Sequence, residues 1–458
     1  MAQSLEQQKT DSVFQLVKTQ FNAKQADSIY ALTSDAFKRN VSAETFNDVA
    51  NNQLFHLGEI KHSSLISFVN NKIATYKLVF DSMTLQLLIS VDEYSKMDYF
   101  RFQPYTKPEG VKPALVATSN PLKSATDKIV DTAARPYIQK ANTVGLSIGV
   151  ISNGKISTYN YGETTRGNNL LPTANTIFEI GSITKTFTAT LLAYYVNEGK
   201  IKLTDTITKY LPDSVAANPA LQNITVVTLS NHTSGLPSLP DNFYSHPNDT
   251  LNPYKNYDSQ LMFAYLKTCK LNTQPGEKYA YSNLAVGLLG TILERVSGKT
   301  FDQMVTEIIT KPLKITSTMQ HVSPVLRARF AAVYNETGKS TLPWNFDVLA
   351  PCGSLRSTVN NLLVYVKANM DTASSDTTPL HKAFLLTHQI TFNKGIKLGL
   401  NWHVIVVNGI EYYFHDGDTY GSSSFLAFNI EKNVAVIILS NCGEGVNDIG
   451  VNILKRLE

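Results

Sequence analysis

A serine and a lysine stand three residues apart in the stretch FEIGSITKTF, as Ser182 and Lys185. At the first turn of a helix such a pair shares one face, so the lysine amine can reach the serine hydroxyl. A partly buried lysine next to a hydroxyl is what activation of a nucleophile requires, because desolvation favours the neutral amine. The bland alternative is a plain helix cap, a position that favours serine. Spacing alone does not choose, because Ser152-Asn-Gly-Lys155 carries the same pattern across an Asn-Gly turn.

A second serine signature competes. Gly145-Leu-Ser-Ile-Gly149 matches the G-x-S-x-G elbow, whose chemistry needs a sharp strand-to-helix turn to expose the serine. Here Ser147 lies in the alternating run Val144, Leu146, Ile148, Val150, which continues into an Asn153-Gly154 hairpin turn. Its side chain is expected to lie flat on a sheet. Ser182 instead follows a short apolar approach and a glycine. It then opens a helix with Phe187, Leu191, Leu192, Tyr195 and Val196 on its apolar side, ending at Gly199.

Two more patterns bear on the choice. Tyr-x-Asn begins at Tyr195, Tyr254 and Tyr281, but only Tyr281-Ser-Asn283 sits where a loop (TQPGEKYAY) feeds a helix (SNLAVGLLGTILERV). That setting can point a phenol and an amide into a cleft. His-x-Gly occurs as His56-Leu-Gly58 and as His415-Asp-Gly417, the latter at the end of a C-terminal strand. A serine at a helix start, a Tyr-x-Asn loop and a His-x-Gly strand, in that order, are specific together where each alone is coincidence.

The elements that must position these residues fall into two parts. Over residues 1–105, Val13, Leu16, Val17 and Phe21 mark one helix face, and Leu85, Leu87, Ile89 and Val91 alternate with the period of a half-buried strand. Asp81-Ser82 separates that strand from the preceding KIATYKLVF run. Residues 106–124, punctuated by Pro108, Pro113 and Pro121, read as a linker. Residues 125–458 have strands at both ends and helices between, which predicts one antiparallel sheet built from both ends with a mainly helical middle packed on it. The fold class is α+β.

Bulk properties exclude several functions. A formal charge of +4 on 458 residues does not argue for nucleic acid, and no window approaches the apolar length of a membrane span. Cys269, Cys352 and Cys442 lack metal-ligand spacing. The polar start Met-Ala-Gln-Ser reads either as a cytoplasmic protein or, preferably, as an exported one whose signal peptide has been removed.

On these motifs the larger part resembles the serine hydrolases of the class C β-lactamase and penicillin-binding-protein superfamily, which includes D-aminopeptidases, DD-carboxypeptidases and β-lactamase-like esterases. NHTSGLP (231–237), PGEKYAYSN, GSLRST (353–358) and HDGDTYGSSSFLAFNIEKNVAVIILSN support the resemblance. It implies an acyl-enzyme on Ser182, with Lys185 and Tyr281 handling its proton and a Tyr281 phenolate as general base. Asn283 would orient the substrate or hold Lys185. Backbone N–H groups of Ser182 and Asp418 would form the oxyanion hole, with Gly417 letting substrate lie close to the strand. No cofactor or metal is called for.

The residues also depart from the β-lactamase pattern. His415-Asp416 stands where β-lactamases of this group usually carry Lys-Thr, which weakens recognition of an anionic group and favours esters or short or D-residue-containing peptides as substrates. The Pro- and aromatic-rich segment LPSLPDNFYSHPNDTLNPYKNY reads as a surface loop or as a wall in which Phe243, Tyr244 and Tyr254 shape a pocket. The first 105 residues resemble the small cone-shaped domains related to nuclear transport factor, in the bacterial form often fused ahead of hydrolases. They are a candidate for scaffolding, homo-oligomerisation or polymer binding. A non-catalytic binding or sensing protein on the same fold is the competing class.

Overall fold

The computed structural model describes residues 5–69, 72–80, 83–105, 116–243, 252–271, 273–371 and 377–457. The chain divides into two compact units, Met1–Pro108 and Glu109–Glu458.

In the first unit, helices α1 (Leu5–Asn22), α2 (Ala26–Ala31), α3 (Asp35–Asn40) and α4 (Ala43–Val49) precede an antiparallel sheet. Its order is β1 (His62–Val69), β2 (Ile73–Val79), β3 (Thr84–Val91), β4 (Met97–Pro104). Alternation drives the packing. Ala74, Tyr76 and Leu78 on β2 and Leu87 and Ile89 on β3 are buried against Val13, Phe14, Val17 and Phe21 of α1.

In the second unit, α5 (Ala125–Ile138) leads into the hairpin β5 (Gly145–Ser152) and β6 (Lys155–Gly162). Residues 118–120, expected as linker, instead join this unit: Thr118 bridges Tyr161, and the Ser119 amide donates to Asn160 O. A two-stranded piece pairs β7 (Phe178–Glu179) with β8 (Arg356–Ser357). β9 (Phe392–Asn393), β10 (Lys397–Leu398), β11 (His403–Val407), β12 (Ile410–Asp418), β13 (Ser423–Asn429) and β14 (Val434–Ser440) complete the main sheet. Its eight strands run β6-β5-β14-β13-β12-β11-β10-β9, all antiparallel, so both ends of the unit meet at β5 and β14. The Asn408-Gly409 turn between β11 and β12 has both residues at positive φ, 49° and 82°, the requirement of a type I′ hairpin.

Period-two alternation splits the sheet between two cores. Leu426, Phe428, Ala435, Ile437 and Leu439 face the helical middle. Phe425, Ala427, Val436 and Ile438 face α5 and the C-terminal helix Asn447–Leu454. At the centre of the helical layer runs α6 (Thr184–Asn197), buried nearly all round rather than on one side. Its threonines are satisfied there: Thr184 Oγ1 accepts from the Leu355 amide at 3.0 Å, and Thr188 donates to Pro351 O at 2.7 Å. These bonds fix the start of α6 against the 351–355 loop.

Candidate active site

Ser182 lies in a single tight turn, Gly181–Ile183, immediately ahead of α6. It is not the helix cap expected from its sequence position: Ile183 occupies that place and no side chain caps the helix. The 3₁₀ turn tilts the Ser182 hydroxyl away from the orphan amides and toward Lys185, whose Nζ donates to Oγ at 2.9 Å. Gly181 makes the turn at φ +47°.

Lys185 is fully buried. Besides Ser182 it donates to Asn283 Oδ1 at 2.8 Å and to Cys352 O at 2.7 Å. Burial lowers its pKa from 10.5 to about 8, with nearby acidic groups (Cys352, Asp416) pulling back only part of the shift. The amine can therefore change state near neutrality. As an ammonium it fills all three acceptors; as a neutral amine it can keep Asn283 and Cys352 and turn a lone pair to the Ser182 proton.

Tyr281 closes the group. The lysine Nζ stands 4.8 Å from its ring centroid, and its phenol lines the same cleft as Ser182. Burial raises the phenol well above 10, more than the nearby Ser182 hydroxyl offsets. A resting phenolate, as the resemblance implied, is thus disfavoured, and Lys185 is the group with the accessible proton. Asn283 opens the helix Asn283–Ser297, capped by Ser282, whose Oγ accepts from the Ala285 amide at 2.9 Å. The NHTSGLP segment holds this loop: the Ser282 amide donates to His232 Nδ1 at 3.2 Å, and Ser282 Oγ donates to Pro237 O at 2.6 Å.

β12 supplies the opposite wall. Its pairing with β11 ends at His403↔Phe414, while its pairing with β13 runs on to Asp418↔Ser423, leaving residues 415–418 with one open edge. Gly417 is required there: a Cβ would meet Ile180 O at 2.2 Å and the Ser182 amide nitrogen at 2.7 Å. The Ser182 and Asp418 amides therefore come from facing segments. A cleft of about 340 Å³ lies between them, lined by Ser182, Tyr281, Tyr279, His403 and Asp416 among others.

Sequence reasoning missed three of these neighbours. His232 stacks obliquely on Tyr281 at 4.5 Å, and Tyr279 Oη bonds His403 Nε2 at 3.0 Å. Burial lowers His232 and His415 well below 6.5 and His403 to about 4, so all three rings are neutral at pH 7. Tyr279 sits two residues before Tyr281, and alternation in an extended loop was the one available signal.

The aromatic segment divides. Tyr254 packs on Trp344 and Phe346, with its hydroxyl 3.4 Å from Asn283 Nδ2. Phe243 is wholly buried in the core against Tyr254 and Tyr257, so it is a support and not a cleft wall. Tyr244 lies outside the described residues. Ser147 is buried in β5 and donates to Asn160 Oδ1 at 2.8 Å, as an internal strand serine should. Cys269, Cys352 and Cys442 are buried and form no disulfide among the described residues. Among the described residues no group is placed to hold a metal, and no helix is long and apolar enough to cross a membrane.

One buried ion pair braces the site from behind. Glu179 on β7 accepts from Thr419 just past β12 at 2.8 Å and from the Trp344 amide at 2.8 Å, and it pairs with Arg356 on β8 at 3.4 Å. Removing one partner strands the other charge without water. Glu179→Ala is expected to lower stability by about 3–5 kcal/mol, read as a lower urea midpoint at neutral pH.

Comparison with known proteins agrees with this geometry. A family model described as beta-lactamase matches residues 130–457. A beta-lactamase of Pseudomonas fluorescens is 31% identical over 283 residues, 61% of this chain and 75% of that protein. The D-alanyl-D-alanine-carboxypeptidase/endopeptidase AmpH of Escherichia coli K12 is 35% identical over 198 residues, 43% of this chain and half of that protein. Among solved structures, a class C beta-lactamase superposes with TM-score 0.65 at 26% identity, covering 74% of this chain and 98% of that one. The beta-lactamase/D-alanine carboxypeptidase of Pseudomonas syringae gives 0.64 at 25% identity, covering 73% and 98%. Since the family match begins within α5 and takes in every strand of the main sheet, the chain belongs to the beta-lactamase family and is a serine hydrolase of that fold.

Proposed function

We propose that the protein hydrolyses carboxylic esters or short, D-residue-containing peptides through an acyl-enzyme on Ser182, and that β-lactams are poor substrates. The observation that carries this reading is the Ser182 hydroxyl held 2.9 Å from a fully buried lysine in an open cleft.

Neutral Lys185 takes the Ser182 proton as Oγ attacks the substrate carbonyl, and the resulting oxyanion rests on the Ser182 and Asp418 amides. The Tyr281 phenol passes a proton to the leaving group and recovers it from water as water attacks the acyl-enzyme, and the Lys185 ammonium returns its proton to Ser182 Oγ as the acyl bond breaks. Asn283 holds Lys185 through Oδ1, while its Nδ2 donates to the Tyr254 hydroxyl. The neutral His415 ring supplies no cation for a β-lactam carboxylate.

A panel of p-nitrophenyl esters, D- and L-amino-acid p-nitroanilides and nitrocefin tests the reading. Ester or D-anilide turnover is expected to exceed nitrocefin turnover, and the reverse order would overturn the substrate assignment. Tyr281→Phe is expected to slow acylation by roughly 10²–10⁴-fold while leaving Ser182 open to slow labelling, as measured by pre-steady-state release of p-nitrophenol.

A further inference from the structure

The charge in the cleft is one-sided. Asp416 and Asp418 both line it, and none of its lining side chains among the described residues is lysine or arginine. Lys185 lies behind Ser182 with its three hydrogen bonds already directed to protein acceptors. His403 and His415 are neutral rings and bring no compensating charge. Asp416 is held in place: Asn447, at the start of the C-terminal helix, donates to its Oδ2 at 2.6 Å. Neither aspartate forms an ion pair among the described residues.

A second observation concerns His415, which is 1% exposed. Its Nδ1 lies 2.6 Å from Asp416 O, an acceptor only, so Nδ1 carries the proton and Nε2 carries a lone pair. That buried Nε2 has no partner. The ring sits 5.3 Å from His403 and 6.5 Å from Tyr281, both of which line the cleft. This strand therefore faces the cleft with the Asp416 and Asp418 carboxylates, with donors confined to its backbone amides, and the buried His415 ring beneath them adds no positive charge.

A carboxylate two residues from Asp418 also works against the reaction, and the Lys185 ammonium formed in acylation offsets it only from behind Ser182, with its donors committed to protein acceptors. Negative charge develops on the substrate oxygen at the Asp418 amide, and like charges in a partly desolvated cleft repel. A positive group arriving with the substrate removes that penalty.

Resting on the acyl-enzyme reading above, we propose that Asp416 makes this cleft select substrates bearing a protonated amine near the scissile carbonyl and reject those bearing a carboxylate there. An ammonium supplies three donors and the missing charge; a carboxylate supplies neither.

Phenyl esters of alanine, isobutyric acid and methylmalonic acid share a leaving group and nearly the same shape, and differ by a cation, a methyl or an anion at one position. With the full chain at low salt, and with each kcat/KM divided by that ester's own rate of hydroxide hydrolysis because an α-ammonium activates an ester by itself, the alanine value is expected to exceed that for isobutyrate by about tenfold, with methylmalonate slowest. The alanine-to-isobutyrate ratio should shrink as salt rises, and Asp416→Asn, checked for folding by thermal melting, should bring it close to one. The salt titration of the unaltered protein is decisive without any variant. Isobutyrate turnover with no advantage for alanine, or a ratio indifferent to both salt and Asp416→Asn, overturns the inference and leaves the hydrolase reading standing. No turnover of any ester, together with no covalent adduct on Ser182, removes both.

Discussion

Replacing Ser182 by alanine is expected to abolish both turnover and covalent labelling. A fluorophosphonate or penicillin probe should add one adduct to the unaltered protein, seen by intact mass, and none to Ser182→Ala. Hydrolysis of the best ester should fall on the order of 10⁴–10⁶-fold, to what the cleft achieves without a nucleophile. Folding should survive, because the side chain caps no helix and accepts its hydrogen bond from Lys185, which keeps Asn283 and Cys352 as partners. Persistence of the adduct would place the nucleophile elsewhere. Loss of activity in Ser147→Ala instead would point to β5, where Ser147 is buried and already hydrogen-bonded.

Lys185→Met should cost less than Ser182→Ala but carries a pH signature. Loss of the base is expected to slow acylation by roughly 10²–10⁴-fold. In the unaltered enzyme acylation should rise with pH and level off above about 8, because the neutral amine is the competent form. The same shift acts on stability. The folded pKa of about 8 lies below the unfolded value of 10.5, so between those pH values the unfolded chain binds more protons and stability rises with pH. Relative to Lys185→Met, the unaltered protein should gain about 3 kcal/mol from pH 8 to 10.5. Below pH 8 both states are protonated and the difference is flat. Urea unfolding of the two proteins at pH 7.5 and 10 measures it; a stability of the unaltered protein relative to Lys185→Met that stays flat or falls as pH rises contradicts a buried, depressed lysine.

Much of this architecture is legible in the sequence because it rests on local period and order. The β5–β6 hairpin is written in alternation and Asn153-Gly154, and the sheet made from both ends follows from where the strand patterns lie. Ser182, Lys185, Tyr281, Asn283 and Gly417 stand out through spacing and setting, and the structure brings them around one cleft. What escapes is set by contacts distant in sequence. Whether Ser182 caps a helix or sits in a tight turn depends on how Gly417 presses on residues 180–182, which no local rule encodes. Glu179 and Arg356 look like two ordinary surface charges until β7 and β8 meet. His232 lies in the NHTSGLP motif and His403 at the start of β11, but neither setting says that the ring packs beside Tyr281, where burial above all keeps it neutral. Phe243 sits in a run whose composition suits a loop, yet it packs in the core.

The pairing of β5 with β14 also bears on how the protein is made. Residues 145–152 leave the ribosome long before 434–440, so the hairpin that starts the main sheet must wait with an unpaired edge for its central neighbour. Ser182 and Lys185 likewise emerge well ahead of the strand against which residues 180–182 are shaped. Contacts this distant in sequence fold slowly, since the intervening chain must be closed before they reward it. A nascent chain stopped short of β12 carries Ser182 and Lys185 without the strand that forms the facing wall of the cleft. The same delay leaves a long apolar intermediate, and this is the stage at which chaperone dependence and aggregation during overproduction should concentrate.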